Sequence, residues 1–133
     1  MSCPRVRSLV LGALDYARDM GLSPKGESAG LAHARAALAV AARAAGCLPI
    51  DHVYVDYHDL EGFERSTREG RDLGYAGRML FHPSQIEPCH RVFAPSDDDV
   101  AWARRVVEAF QAEALPRGVA AISFEGAMAD LRQ

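Results

Sequence analysis

PIDHVYVDYHDLEGFERSTREGRDLGYAGRMLF, from Pro49 to Phe81, changes pattern twice. Pro49 to Tyr57 is rich in β-branched and aromatic residues, the composition of a strand. Leu60 to Leu73 reads as a helix, with Arg65, Arg68 and Arg71 recurring every three residues and Gly74 as its stop. Gly77 to Phe81 returns to strand character, and His82-Pro83 closes it, because the residue before a proline is held extended. Strand, helix and strand in one short span read as a parallel crossover unit.

The same alternation continues outward. Upstream, RSLVLGAL (Arg7 to Leu14) is a short apolar run of strand type that ends at Asp15. A Gly-, Ser- and Pro-rich loop follows, including Leu22 to Gly30. LAHARAALAVAARAA (Leu31 to Ala45) is strongly helix-forming, and Gly46 suits its C-terminus. Leu31, Ala34, Leu38 and Ala42 share one face of that helix, with Arg35 and Arg43 on another. Downstream, a helix is expected from about Ser84 to Val92, complicated by Pro88. Ser96 is an apt N-cap for a helix from Asp97 to Leu115, with three aspartates at the positive end of its dipole. Val100, Ala103, Val107 and Phe110 form its apolar stripe. Val119 to Phe124 reads as a strand before a turn at Glu125-Gly126. The sum is an α/β chain of about three parallel strands with helices, and a C-terminal helical extension.

Composition narrows the function. The chain has 133 residues, 49% hydrophobic and 25% charged, with a net charge of −3. Those values describe one ordinary globular domain and provide no basic surface for nucleic acid. Fourteen arginines face a single lysine, Lys25, a bias read first as genomic. Cys3, Cys47 and Cys89 lie too far apart for a zinc knuckle or a disulfide framework. No run approaches the roughly 20 apolar residues of a membrane span, and the N-terminus lacks the pattern of a signal peptide. A cytoplasmic protein with no membrane and no nucleic-acid partner is the expectation.

Polar residues gather where the strands end. Asp15 follows the first, Asp56, His58 and Asp59 the second, and His82 the third. In a (β/α) barrel the side chains at the carboxyl ends of strands line the active site, although Asp is also a common turn residue there. Period-two alternation places His52, Tyr54, Asp56 and His58 on one strand face, a set that could hold zinc or manganese and serve a hydrolase. Hydrogen-bonded strand ends are the simpler account, since no metal motif accompanies them. The arginine stripe Arg65, Arg68 and Arg71 reads as a solvated face paired with Glu61, Glu64 and Asp72.

Taken together, LVLGALDYARDMG (Leu9 to Gly21), Asp51 to Ile86 with its GYAGRMLFHPSQ, FAPSDDDVAWARRVVEA (Phe93 to Ala109) and FEGAMADL (Phe124 to Leu131) resemble the C-terminal part of the citrate lyase β-subunit / malyl-CoA lyase family, the HpcH/HpaI aldolases. The resemblance implies part of a (β/α)₈ TIM-type barrel, with residues 1–92 as its last βα units and 93–133 as a C-terminal extension. It implies a Mg²⁺-dependent carbon–carbon lyase acting on 3-hydroxyacyl-CoA thioesters of the citryl-CoA or malyl-CoA class, with an acyl-CoA or keto acid as small-molecule partner. Asp15 matches the family's metal-ligating aspartate. Asp130 matches the acidic residue that the C-terminal segment presents to a neighbouring subunit. His82, Pro83, Gln85, Asp56 and Asp59 fall to the substrate and CoA pocket. The second metal carboxylate, the substrate-binding arginine and the earlier strands have no counterpart here, and Ala127 and Ala129 vary the C-terminal motif. The expectation is therefore impaired activity alone, and assembly as a homo-oligomer or with a complementary chain. The alternative is a non-catalytic remnant, a subunit-interaction or ligand-binding module.

Overall fold

The computed structural model describes residues 5–23 and 28–130, so part of the expected Leu22–Gly30 loop, with Lys25, lies outside the described residues, as does Cys3. Two compact units divide the chain, residues 1–94 and 95–133.

The first unit carries a parallel sheet in the order β1 (Ser8–Val10), β2 (Leu48–Asp51), β3 (Gly77–Arg78). Ser8 pairs with Leu48 and Val10 with Ile50, while Asp51 pairs with Arg78. All three strands are shorter than their sequence patterns suggest. The first stops before Gly12, and Asp15 falls inside helix α1 (Ala13–Asp19) instead of at a strand end. The second stops at Asp51, because the Asp51 side chain accepts a hydrogen bond from the next backbone N–H, that of His52, at 2.9 Å. The side-chain acceptor replaces a ladder partner there and turns the chain out of the sheet.

The helices follow the sequence more closely. Helix α2 (Ala29–Ala44) starts at Ser28, whose hydroxyl accepts from the Leu31 N–H at 3.2 Å, and gives way to Gly46 at φ +69°, a left-handed position glycine fills without strain. Helix α3 (Leu60–Asp72) is capped by Asp59. Helix α4 (Ile86–Phe93) follows a single 3₁₀ turn at Pro83–Gln85, and Pro88 sits in its first turn, where an N–H would have no intrahelical partner. On α3, Arg68 pairs with Glu64 at 2.6 Å and Arg71 with Asp72 at 3.5 Å, the solvated face read from the sequence.

Arg35 departs from expectation. It was placed with Arg43 away from the apolar face, yet it is buried alongside Ala39 and Ala42. Its guanidinium holds the fully buried Asp51 carboxylate through Nε at 3.0 Å and an Nη at 2.6 Å, and that same Nη reaches the Ser66 carbonyl at 2.6 Å. Arg78 lies 3.9 Å from the Asp51 oxygen that the Arg35 Nη holds, bonds the His52 carbonyl and Thr67, and sits over the Tyr54 and Phe63 rings. Gly70 leaves room for this cluster, since a Cβ there would strike the Asp51 carboxylate.

In the second unit, α5 (Asp97–Ala109) opens with a Ser96–Asp99 capping box and runs through a π-helical turn at Phe110–Ala114 into α6 (Leu115–Arg117). The extension is not wholly helical. Strands β4 (Ala121–Phe124) and β5 (Ala127–Asp130) form an antiparallel hairpin about Glu125-Gly126. The packed stripe also differs from the expected one: Val106, Phe110 and Ala114 meet Ile122 and Ala129, and Val107 is exposed.

Removing one partner from a buried ion pair leaves an uncompensated charge, which costs about 3–5 kcal/mol. Asp51→Ala should therefore lower stability by about that amount in urea unfolding. The double variant Arg35→Met/Asp51→Leu should recover a large part of the loss.

Candidate functional site

Parallel strands set their carboxyl ends along one edge of a sheet, so three segments meet there: the entry to α1, the irregular stretch 52–59 and the turn 79–85. Asp15 lies in the first turn of α1, where the helix dipole favours a carboxylate. Its side chain is exposed and faces Arg18 at 3.2 Å.

The stretch after Asp51 is not a strand, so the single face expected for His52, Tyr54, Asp56 and His58 does not form. Asp56 instead accepts from the His58 N–H at 3.1 Å, a local turn bond of the kind aspartate favours. His58 stacks near Tyr57, with centroids 4.1 Å apart. Among the described residues no group of three or more His, Cys, Asp or Glu is placed to hold a metal ion. His52 is buried, and its Nδ1 lies 2.8 Å from the Val53 carbonyl. A carbonyl only accepts, so Nδ1 carries the proton and Nε2 is left as an acceptor with no hydrogen-bond partner among the described residues. Burial holds this imidazole below its usual pKa.

Asp59 has both oxygens engaged. One accepts from the Gly62 N–H at 2.9 Å, capping α3, and the other from the Tyr54 hydroxyl at 2.7 Å. The tyrosine hydrogen bond holds the Asp59 carboxyl below its ordinary range, and the same bond pushes Tyr54 up to about 12. A side chain at Gly62 would collide with both groups. Asp59 thus braces the loop and caps α3 through one carboxylate.

The turn after β3 is held from within. Gln85 is fully buried; its Oε1 accepts from the backbone N–H groups of Phe81 at 2.9 Å and His82 at 3.2 Å. Its Nε2 donates to the Tyr54 carbonyl at 2.8 Å, so the amide clamps this turn to the 52–59 stretch. Pro83 begins the 3₁₀ turn, and His82 lies against Tyr57 with ring centroids 4.5 Å apart. Tyr57 escaped the sequence reading as a site residue; the alternating aromatics of Pro49–Tyr57 were the available signal, and they read as strand composition.

A groove of about 1140 Å³ runs beside these loops, lined by Leu14 and Ala17 of α1, Leu31 of α2, His52 and Asp56 of the loop, and Arg65 of α3. Asp15, Asp59, His82, Pro83 and Gln85 are not among its lining residues. Asp130 belongs to the second unit, where it is half-buried at the end of β5 opposite Ala121. No described helix is long and apolar enough to cross a membrane.

A parallel α/β sheet whose polar residues collect at the strands' carboxyl ends is the architecture of TIM-type barrel enzymes. Residues 1–83 match the HpcH/HpaI aldolase/citrate lyase family model, and the chain belongs to that family. It is 34% identical over 124 residues to the human mitochondrial citramalyl-CoA lyase, covering 93% of this chain and 36% of that protein. It is 38% identical over 130 residues to the citrate lyase subunit beta-like protein of Deinococcus radiodurans, covering 98% of this chain and 45% of that one. The crystal structure of CitE from Mycobacterium tuberculosis in complex with magnesium, acetoacetate and coenzyme A superposes with a TM-score of 0.74 at 33% identity, over 92% of this chain and 46% of that one. The chain therefore spans less than half the length of these relatives. Magnesium is the metal held in this structural relative, as the resemblance implied.

Of the chain's four tyrosines, Tyr54 and Tyr75 are both pushed up to about 12, the second mainly by burial. Losing the Tyr54 proton would set two anions face to face, so the native state keeps that proton longer than the unfolded chain. The associated stability is fully present below pH 10 and is lost as pH rises towards 12. Ultraviolet titration of phenolate absorbance should show two late-ionising tyrosines, and Asp59→Asn should return one of them towards 10.0.

Proposed function

We propose that this chain supplies the last strand ends of a carbon–carbon lyase site for 3-hydroxyacyl-CoA thioesters of the citryl-CoA or malyl-CoA class. The observation that carries this reading is the family match over residues 1–83, which spans β1, β2 and β3 and the segments at their carboxyl ends. Cleavage breaks the bond between the thioester α-carbon and the carbinol carbon. The bonding pair moves into the acyl unit as an enolate, while the carbinol O–H gives its proton to a base and becomes the keto acid carbonyl. The enolate carbon then takes up a proton and leaves as acyl-CoA. Asp130 is the proposed acid/base, acting on the site of a neighbouring subunit; His82, Pro83 and Asp56 border the substrate, the buried Gln85 holds the turn that carries His82, and Asp59 fixes the loop that carries Asp56.

Magnesium in such a site would act as a Lewis acid on the keto oxygen. The described residues do not fit the ion by themselves. Mg²⁺ takes near-octahedral oxygen ligands, and here Asp15 is paired with Arg18 at 3.2 Å and belongs to no group of three or more His, Cys, Asp or Glu among the described residues. Further ligands have to come from strands beyond these, in a longer polypeptide or a second chain. The sheet itself asks for such strands: β1 and β3 are its edges, and Val10 on β1 and Met79 just beyond β3 are exposed large apolar residues. Assembly as a homo-oligomer or with a complementary chain follows. The Asp15–Arg18 pair also favours a second reading, a ligand-binding or subunit-interaction module that has given up catalysis.

Thermal unfolding with acetyl-CoA, and with oxaloacetate plus Mg²⁺, separates the two. A ligand at 100 times its dissociation constant adds about 2.7 kcal/mol, a plain rise in Tm. The lyase reading expects a rise with acetyl-CoA and, where assembly supplies the further metal ligands, a Mg²⁺-dependent rise with oxaloacetate that Asp15→Ala abolishes. A folded sample that responds to neither belongs to the module.

A further inference from the structure

The turn at His82–Gln85 fixes an imidazole in one chemical form. The Ser84 backbone N–H lies 3.2 Å from His82 Nδ1, and the Ser84 hydroxyl lies 2.9 Å from the same nitrogen. A backbone N–H can only donate, so Nδ1 must accept, and the neutral ring carries its proton on Nε2. Three other contacts hold the ring where it is. Gln85 Oε1 accepts from the His82 N–H at 3.2 Å, and the same amide is tied to the Tyr54 carbonyl. The Tyr57 ring stacks on the imidazole at an interplanar angle of 20°. Tautomer, backbone and ring face are all determined, yet His82 is an exposed residue at the carboxyl end of β3. Structure spent on orienting an exposed imidazole leaves a preorganised donor, the Nε2–H, for a ligand.

The chemistry of that donor narrows its acceptor. A standing carboxylate or phosphate is best met by a guanidinium or ammonium. A neutral N–H suits an oxygen that is uncharged in the ground state and gains charge during reaction, because the hydrogen bond then strengthens as the transition state is approached. In the lyase reaction the thioester carbonyl oxygen has this character, since it becomes the enolate oxygen. We propose that His82 donates its Nε2–H to the thioester carbonyl oxygen of the acyl-CoA ligand, with Ser84 and Gln85 as positioning residues that hold the imidazole in this form. The proposal rests on the lyase reading. The proton stays on nitrogen throughout; the contact is a hydrogen bond, not a transfer.

The test compares acetyl-CoA with S-ethyl-CoA, a thioether of nearly the same shape that lacks the carbonyl oxygen, by calorimetric titration. The unmodified chain should bind acetyl-CoA about fivefold to tenfold more tightly, the range of one hydrogen bond. His82→Phe keeps a ring against Tyr57 and removes the donor, so the preference for acetyl-CoA over S-ethyl-CoA should be lost. Gln85→Leu should reduce the preference in the same way, a change that loss of structure alone would not confine to one ligand. Should that buried substitution prevent folding, the exposed His82→Phe variant still decides. Long-range ¹H–¹⁵N correlation spectra at pH 8 should show His82 protonated on Nε2. A preference that survives His82→Phe, equal binding by the unmodified chain, or a proton on Nδ1 would each overturn the proposal. If the unmodified chain binds neither ligand, it is the lyase reading that fails, and the proposal goes with it.

Discussion

Asp51 is the point at which the first unit is tied together. Its carboxylate, wholly removed from solvent, is held by two nitrogens of Arg35 from α2, approached by Arg78 from β3, and bonded by the His52 N–H. Arg35 extends the connection to α3 through the Ser66 carbonyl. Burying a charge costs several kcal/mol even after relaxation, so a cluster of this kind is tolerable only when nearly every donor and acceptor is matched. That requirement dictates much around it. Helix α2 is built of alanines on its packed side, which brings the backbone near enough for one guanidinium to reach across, and Gly70 supplies the space on the opposite helix.

The strand ends inherit their geometry from that cluster. Because Asp51 captures the next N–H, β2 ends there and residues 52–59 must find other partners for their polar groups. They find them in side chains. Tyr54 gives its hydroxyl to Asp59 and its carbonyl to Gln85, and Asp59 caps α3. Regular β structure contributes little at this edge of the sheet. A chain of side-chain hydrogen bonds from Asp51 to the His82 turn holds the site instead, which is how a loop-built surface can be as rigid as the strands beneath it.

Much of the fold was legible in the sequence, because helices announce themselves locally. Ser96 with Asp99 three residues later, Gly46 and Gly74 past helix ends, and the charged face of α3 each carry their own physical cause. The strand lengths were not legible. VYVDY has the composition of a strand, but its fate was set by a tertiary contact, Arg35 with Asp51, across 16 residues. The same contact hid Arg35, an arginine that periodicity alone assigns to water. Of the site, the positions Asp15, Asp56, Asp59 and His82 could be picked out as polar residues following apolar runs. The division of labour among them could not, since Asp59 differs from Asp56 only in having Tyr54 and Gly62 within reach.

The open edge of the sheet and the metal role proposed for Asp15 meet in one geometric constraint. A parallel strand pair places successive carboxyl ends side by side, so a carboxylate that could share an ion with Asp15 has to sit at the end of a strand adjoining this sheet. The open side of β1, three residues long and followed directly by the segment bearing Asp15, is the nearest place for such a strand. One strand added there would cover an exposed edge and could bring a second anionic ligand towards Asp15. The electrostatics point the same way. Arg18 already serves Asp15 at 3.2 Å and Asp19 at 3.7 Å, so a divalent cation has little to gain by displacing it from Asp15 alone. With two carboxylates close together, mutual repulsion makes the cation the better partner, and Arg18 is released. Under the proposed lyase reading, a strand added at this edge and competence for metal are the same event.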